Sequence, residues 1–398
     1  MGGMILPPAE WRTHDDLIRL ARVLGADAGE ARFVGGAVRD TLLGVPVADI
    51  DIATRHRPEE VMARLGEAEI KSVPTGMAHG TVTAVIDSGP VEVTTLRRDV
   101  STDGRHATVS FTDDWREDAA RRDFTINAPY ADPLTGEVFD YFGGEADLAA
   151  RHIRFIGDPL QRIAEDHLRI LRFFRFLARF GDKPDQAGLD ACTARAKDLM
   201  ALSRERIREE LVKLLVAKDA VTVVRLMIER GIFAPVLPEI EDAALLEQVA
   251  WLEDASGLPA DAIRRLAALL PREPQVAEAI GARLKLSKAE RKRLTSAATD
   301  VIGAPRELAY RLGTHEAIDR ILLTREWHEG AAYLAARHLK NWQVPTFPLT
   351  GGAIVARGVR AGPDVARLLR RVEDRWVEEG FPDKARVETI ADEVVAAG

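Results

Sequence analysis

The feature that most constrains this chain is a change of hydrophobic period near residue 151. Before it, apolar residues alternate with polar ones over short stretches. After it they recur every three to four positions almost to the C-terminus. A period of two lines one face of a strand, whereas a period near 3.6 lines one stripe of a helix. A single switch of this kind predicts an α+β chain, with a small mixed α/β head followed by an all-α remainder. At 398 residues the chain exceeds what one ordinary core covers. We therefore expect a head over 1–151, a helical neck over 152–235 and a helical body and tail over 236–398.

Within the head, residues 15–24 form an amphipathic pattern with Leu17, Leu20, Val23 and Leu24 on one side. Strands are expected over 31–34, 49–53, 80–87 and 91–96, with a further candidate at 139–142, in stretches rich in Val, Ile and Thr. Beyond the switch, residues 161–180 predict one continuous helix. Ser287 and Glu290 form a capping-box pattern opening a basic helix. Pro363 after Gly362 suits the first turn of a late one.

Composition narrows the function classes. Cys192 is the only cysteine, so a disulfide framework and a cysteine-built zinc site are excluded. No apolar run reaches the ~20 residues of a bilayer span, and the N-terminus has no basic-then-apolar export pattern. A cytoplasmic protein without a membrane partner is expected. The formal net charge of −8 weighs against a nucleic-acid partner, but charge acts locally. Between Arg151 and Arg179 there are seven arginines against Asp158, Glu165 and Asp166.

The stretch Ala48-Asp49-Ile50-Asp51-Ile52-Ala53-Thr54 carries the most chemistry. In a strand, Asp49 and Asp51 project to one face while Ile50 and Ile52 enter the core. Two carboxylates so placed suit hard divalent cations. About one helix-length earlier, Phe33-Val34-Gly35-Gly36-Ala37-Val38-Arg39-Asp40 puts two glycines at the mouth of a helix. There the backbone approaches a ligand closely and free N–H groups attract phosphate. Arg39, one turn in, can meet a phosphate as a charged fork or pair with Asp40 or Glu60.

Together these elements resemble the active-site motif of the polymerase-β-like nucleotidyltransferase superfamily, and most closely the branch holding bacterial class II CCA-adding enzymes and poly(A) polymerases. The resemblance implies two metal ions on Asp49 and Asp51, expected to be Mg²⁺ with Mn²⁺ as a substitute, and Glu92 is the candidate third carboxylate. It is specific over residues 32–211 and diffuse beyond. Arg121-Arg122-Asp123-Phe124-Thr125-Ile126-Asn127-Ala128 is similar to the family's second motif, which implies that Arg122 and Asp123 bind the ribose. Glu165-Asp166-His167-Leu168-Arg169-Ile170-Leu171-Arg172 resembles its base-recognition helix, with Asp166, Arg169 and Arg172 at i, i+3 and i+6. A guanidinium beside a carboxylate matches the Watson–Crick edges of C and A, whereas U and G present an N–H where Arg169 also donates. Arg172 is expected to hold Arg169 or meet the triphosphate.

The resemblance thus implies ATP and CTP as substrates, tRNA as acceptor and template-independent addition of C, C and A. No obligate protein partner is inferred. Poly(A) synthesis and A-only addition are the near alternatives. The segment Val73-Pro74-Thr75-Gly76-Met77-Ala78-His79-Gly80 lacks the Gly-Arg/Lys-Arg/Lys-Phe run that usually marks the poly(A) group. A non-catalytic RNA-binding protein is the alternative from another class, opposed by the intact Asp49, Asp51, Arg122 and Asp123. Ser203-Arg204-Glu205-Arg206-Ile207-Arg208-Glu209-Glu210 resembles a later motif and reads equally as a capped, charge-paired helix start. Two basic clusters, Lys285 to Arg293 and Arg357 to Arg371, are candidates for tRNA phosphates.

Overall fold

The computed structural model describes residues 4–103, 106–301, 303–324 and 329–398, and the side chains of these apart from 99–103 and 106–109. The chain divides into two compact units, Met1–Pro238 and Glu239–Gly398.

The first unit opens with helix α1 (Asp15–Val23), followed by β1 (Ala31–Val34), α2 (Gly36–Leu42), β2 (Asp51–Thr54) and α3 (Pro58–Glu67). Strands β3 (Lys71–Gly76), β4 (Thr81–Ile86) and β5 (Gly89–Thr95) come next, then a separate hairpin of β6 (Arg97–Asp103) and β7 (His106–Phe111). Helix α4 (Trp115–Ala120), short strands β8 (Tyr130–Ala131) and β9 (Val138–Phe139), and α5 (Gly144–Ala149) complete the sheet region. The main sheet runs β3-β4-β5-β2-β1-β8-β9, and its β2–β5 pair is parallel while its other pairs are antiparallel.

Alternation along the strands builds a core on each face of this sheet. Phe33, Ile52 and Val93 pack on one face against Leu17, Leu20, Val61 and Leu65 of α1 and α3. Val34 and Ala53 pack on the other with Trp115, Ala119 and Tyr130. Strand β2 begins at Asp51, so Asp49 lies just before it instead of within it. Ile50 still packs against the first core and its carbonyl accepts the Glu92 N–H at 3.3 Å. Of the candidate strand over 139–142, only Phe139 is in a strand, as the end of β9.

The helical remainder of this unit comprises α6 (Pro159–Glu165), α7 (Leu168–Phe180), α8 (Gln186–Ala194), α9 (Arg204–Leu215) and α10 (Ala220–Glu229). The expected continuous helix over 161–180 is broken at Asp166, whose backbone is extended at φ −151° and ψ 108°. Its carboxylate accepts the Leu168 N–H at 3.1 Å. That local bond competes with helix continuation. Helix α7 buries Ile170, Phe173, Phe174 and Leu177. Phe124 sits against Phe155 and Phe176 with ring centroids 4.8 and 5.3 Å away. Each such pair adds roughly 0.5–1.5 kcal/mol beyond area burial, and together they hold the Arg122-Asp123 segment to α7.

The second unit is helical, with no strand among its described residues. One apolar cluster gathers Leu252, Ile318, Ile321 and Leu339, another Leu349, Val372, Trp376 and Ile390. The Ser287–Glu290 capping box is present, and Pro363 occupies the first turn of helix Pro363–Glu378. Among the described residues no helix is long and apolar enough to cross a membrane.

Candidate active site

The carboxylates are placed by strand register. Asp51 lies opposite Val34 of β1 on one side and Glu92 of β5 on the other. Val34 in turn faces Tyr130 of β8. Asp51 and Glu92 therefore stand side by side on one face, and exposed Asp49 follows at the same end of β2. Burial pushes the Asp51 carboxyl up to about 6, with Glu92 and Asp49 adding to the rise and Arg122 opposing it. Like-charged oxygen donors crowded on one face suit a divalent cation, which would relieve their repulsion. Asp49 and Asp51 fit such an ion, with Glu92 one strand away. Among the described residues no three acidic, His or Cys side chains already converge as a ready cage.

Gly35 turns the chain from β1 into α2 at φ +70° and ψ −124°, a conformation that only glycine adopts readily. A Cβ there would lie 3.6 Å from Arg122 Nη1 and 4.0 Å from Asp51 Oδ2. The glycine thus brings bare backbone between the guanidinium and the carboxylate. Arg39 is buried, and its Nε donates to Asp40 Oδ1 at 2.7 Å while Nη1 donates to Asn127 Oδ1 at 2.5 Å. Its guanidinium stacks 4.5 Å from the Phe180 ring. The pairing with Asp40 is the one realised, and Glu60 instead bonds Arg64 and His56. Arg39 still lines the cleft.

Arg122 and Asp123 are held by separate networks. Asp118 Oδ2 accepts from Arg122 Nη2 at 3.2 Å and from Tyr130 Oη at 2.6 Å, while Oδ1 accepts Arg121 Nε at 2.8 Å. Burial alone would raise the Asp118 carboxyl, but Arg121 and Arg122 bring it well below the usual range. Asp123 Oδ1 accepts Asn127 Nδ2 at 3.1 Å, and Oδ2 accepts Arg172 Nε at 2.7 Å. Burial opposes its ionisation too, and Arg172 outweighs it to leave the carboxyl low. Glu210 of α9 stands 3.9 Å from Arg172 and accepts Arg175 Nε at 2.5 Å.

Asp166 and Arg169 do not bond each other. Asp166 Oδ2 accepts Arg206 Nη2 at 2.8 Å. Arg169 donates through Nη1 to Glu165 Oε2 at 2.6 Å and through Nη2 to the Arg121 carbonyl at 3.1 Å. Each is thus aimed by another partner. A cleft of about 350 Å³ collects Gly35, Gly36, Arg39 and Asp51 from the sheet region with Arg122 and Asp123, and Asp166, Arg169 and Arg172 from the α6–α7 break and α7.

Sequence reasoning missed Asp118, Asn127 and the aromatic wall of Phe176. It left open the role of the 203–210 segment, which caps α9 through Ser203 and also sends Arg206 and Glu210 to the cleft side chains. The spacing of Asn127, four residues after Asp123, was the available signal for one of these. His79 ends a short 3₁₀ turn leading into β4, the strand-entry turn that its glycine neighbour suits.

A mixed sheet bearing paired carboxylates, a Gly-Gly turn and an arginine-rich helix defines a nucleotidyltransferase of the poly(A)-polymerase type. Residues 31–154 match the poly A polymerase head domain, and residues 183–244 match the probable RNA and SrmB-binding site of polymerase A. CCA tRNA nucleotidyltransferase 1, mitochondrial, of Mus musculus is 35% identical over 92% of this chain and 87% of its own length. Its Homo sapiens counterpart is 35% identical over 88% and 84%. The chain belongs to the CCA tRNA nucleotidyltransferase family. The CCA-adding enzyme of Anoxybacillus flavithermus is 39% identical over 59% of this chain and 57% of its own. The crystal structure of the Bacillus stearothermophilus CCA-adding enzyme in complex with CTP superposes with a TM-score of 0.74 at 28% identity, covering 96% of this chain and 97% of that one. Family membership thus rests on vertebrate mitochondrial relatives as much as on bacterial ones.

Proposed function

We propose that the chain adds C, C and A in turn to the 3′ end of tRNA, using CTP and ATP and releasing pyrophosphate. The observation that carries this reading is the single cleft in which three distant sequence motifs meet, from Gly35 to Arg172. Its supports are the nearly full-length relatives named for this activity. Related structures also bear on it, since they are described with CTP, with ATP and with tRNA_CCA. The bacterial class II branch is our narrower placement, supported by the full-length likeness to the Bacillus stearothermophilus structure.

In this reading Asp49 and Asp51 anchor the metals, with Glu92 as third ligand and Mg²⁺ as the natural ion, Mn²⁺ substituting. When bound, the divalent cations lower the pKa of the attacking hydroxyl and offset charge on both reacting oxygens. Gly35 and Gly36 offer backbone N–H groups to the phosphates, and Arg39 adds its charge. Arg122 and Asp123 address the ribose, since a 2′-hydroxyl both donates and accepts. Asp166 accepts the exocyclic amine of C or A, Arg169 donates to the ring nitrogen, and Arg172 orients Asp123. The 3′-hydroxyl oxygen forms the bond to the α-phosphorus and its proton passes to solvent. The bond to the bridging oxygen then breaks, its electrons leaving on pyrophosphate.

We assign residues 1–151 to the catalytic head, 152–235 to the neck and 236–398 to tRNA binding; the unit border at 238/239 supports the second of these boundaries. Cytoplasmic action is likewise our reading, supported by a sole cysteine that is buried and whose thiol burial pushes up. The test is incubation with tRNA lacking its last three nucleotides and each labelled triphosphate singly and in combination. Addition of C, then C, then A is expected. Incorporation of A alone onto that end would overturn the reading in favour of an A-only enzyme.

A further inference from the structure

Two asparagines occur in the whole chain, Asn127 and Asn341, and the first stands between two parts of the cleft. Its Oδ1 accepts Arg39 Nη1 at 2.5 Å, and its Nδ2 donates to Asp123 Oδ1 at 3.1 Å. A guanidinium only donates and an ionised carboxylate only accepts, so these partners fix which end of the amide faces which. The 3₁₀ turn Thr125–Asn127 sets the spacing, since it keeps residue 127 within reach of Asp123. Asn127 is buried, yet it lines the cleft.

The acceptor sites of Asp123 are already taken. Oδ1 accepts the Phe124 N–H at 2.9 Å besides the Asn127 amide, and Oδ2 has Arg172 Nε at 2.7 Å and Nη2 at 2.6 Å. A carboxylate offers about four such sites. A hydroxyl that donates to Asp123 therefore has to replace a donor. Arg172 is held by charge through two atoms, and displacing the Phe124 N–H would strand a buried backbone group. The Asn127 bond is the longest of the four and comes from a neutral donor, so it is the one that yields. Asn127 Nδ2 carries two hydrogens, and among the described residues it has a single acceptor. Arg122 belongs to a separate network, turned to Asp118 and lying beside Gly35 and Asp51.

Resting on the nucleotidyl-transfer reading and on Asp123 as its ribose acceptor, we propose that Asn127 is a second reader of the sugar. The 2′-hydroxyl of the incoming nucleotide enters between the two side chains. It donates a hydrogen bond to Asp123 Oδ1 and accepts one from Asn127 Nδ2. The amide exchanges a carboxylate for a hydroxyl oxygen, so no buried donor is left unmet. A deoxyribose offers neither half of the exchange, and Asn127 stays on Asp123. Arg39 keeps the amide from turning over, so the arginine on the phosphate side also sets the sugar reader.

The full-length wild type tests this directly, because ¹⁵N-asparagine labelling yields two side-chain amides and Asn341→Gln assigns them. Spectra are recorded with Mg²⁺ at saturating CTP and at saturating dCTP, without RNA. The Asn127 amide signals should differ between the two nucleotides, while those of Asn341, in the second unit, stay fixed. Primer extension then compares wild type with Asn127→Asp, which keeps the acceptor for Arg39 and loses the donor, and with Asn127→Ala, which loses both. In Asn127→Asp, kcat/KM for CTP should fall about tenfold, the effect of one hydrogen bond, with dCTP within about twofold of wild type. Asn127→Ala should slow dCTP as well, through the loosened Arg39. Identical Asn127 signals with CTP and dCTP overturn the proposal. So does an equal slowing of CTP and dCTP in Asn127→Asp, which makes the residue merely structural. Wild type that binds neither triphosphate would sink the nucleotidyl-transfer reading and this proposal with it. A shift specific to CTP in a protein that extends no tRNA would leave the sugar site standing without that reading.

Discussion

Asp51, the proposed metal anchor, would join function to stability at a single side chain. Its carboxyl is pushed from 3.8 up to about 6 by burial, then by Glu92 and Asp49. A raised value means the folded state prefers the protonated form. This contribution to stability is complete below the unfolded value near 3.8 and is lost as pH rises through about 6. At pH 7.5 the metal-free protein therefore carries an ionised group that it would shed. Asp51→Asn should abolish transfer yet raise the metal-free Tm at pH 7.5 by on the order of 2–4 °C, a gain that shrinks at pH 5 and vanishes only below about 3.8. Thermal scans with chelator at both pH values check this, and a lower Tm at pH 7.5 would contradict it. Apparent Mg²⁺ affinity should likewise weaken below pH 6, because protons compete for the ligand. Asp123 makes a different prediction, since its Oδ2 is shared with Arg172 at 2.7 Å. Asp123→Ala should narrow the CTP-to-dCTP rate ratio, and Arg172→Ala should slow all four nucleotides alike. If the dCTP ratio is unchanged in Asp123→Ala, the sugar is read elsewhere.

At the scale of elements, the break between α6 and α7 decides where Asp166 and Arg169, the proposed base readers, point. In one continuous helix Asp166 and Arg169 would share a stripe and face each other. With Asp166 extended, Arg206 of α9 holds it at 2.8 Å while Glu165 and the Arg121 carbonyl hold Arg169. Arg206→Ala should leave Asp166 free to swing and raise U incorporation relative to C, by an amount up to that of Asp166→Ala itself. Loss of a hydrogen bond to a buried polar group costs ~1–3 kcal/mol, roughly 5- to 150-fold in preference. Single-nucleotide additions with all four triphosphates measure it, and a uniform slowing with the C-to-U ratio intact would make Arg206 merely structural. The break itself was not legible, because the apolar pattern of 161–180 continues across it and the local bond from Asp166 to the Leu168 N–H has no periodic signature. The Arg206 contact was hidden for a second reason, since it joins residues forty apart whose charges look paired within their own helix. By contrast β1, β2, β4, β5 and the Gly35 turn were readable, since alternation and glycine act within a few residues. Strand β3 was passed over because Pro74 and mostly exposed positions blur its alternation.

For the whole molecule, the question is how a chain of net charge −8 holds an RNA. Much of the basic charge in the second unit is internally answered. Arg293 pairs with Asp319 at 2.5 Å and Asp261 at 2.9 Å, Arg291 with Glu278, and Arg357 with Glu388 and Asp392. Glu253, Arg264 and Asp319 are buried in the same ion-pair network, whose geometry fixes the helices around it. Arg264 and Arg293 are poor phosphate ligands, because engaging either would strand buried Asp319, whereas the partners of Arg291 and Arg357 are exposed. Arg360, Arg370 and Arg371 differ, being exposed and without an ion pair among the described residues. These three are the ones we expect to track tRNA phosphates. Each neutralised phosphate releases condensed counterions, so log affinity should fall linearly with log salt, and removing one contact should lower the slope by about one. Arg370→Ala/Arg371→Ala should therefore flatten the salt dependence of tRNA binding by about two units while leaving CTP affinity unchanged. Arg293→Ala should instead lower the Tm, since it leaves Asp319 short of a partner in a buried site. Filter binding from low to high salt, paired with thermal melts, separates the two effects. If the salt slope of the Arg370/Arg371 variant equals that of wild type, the RNA lies elsewhere on the second unit or on the first.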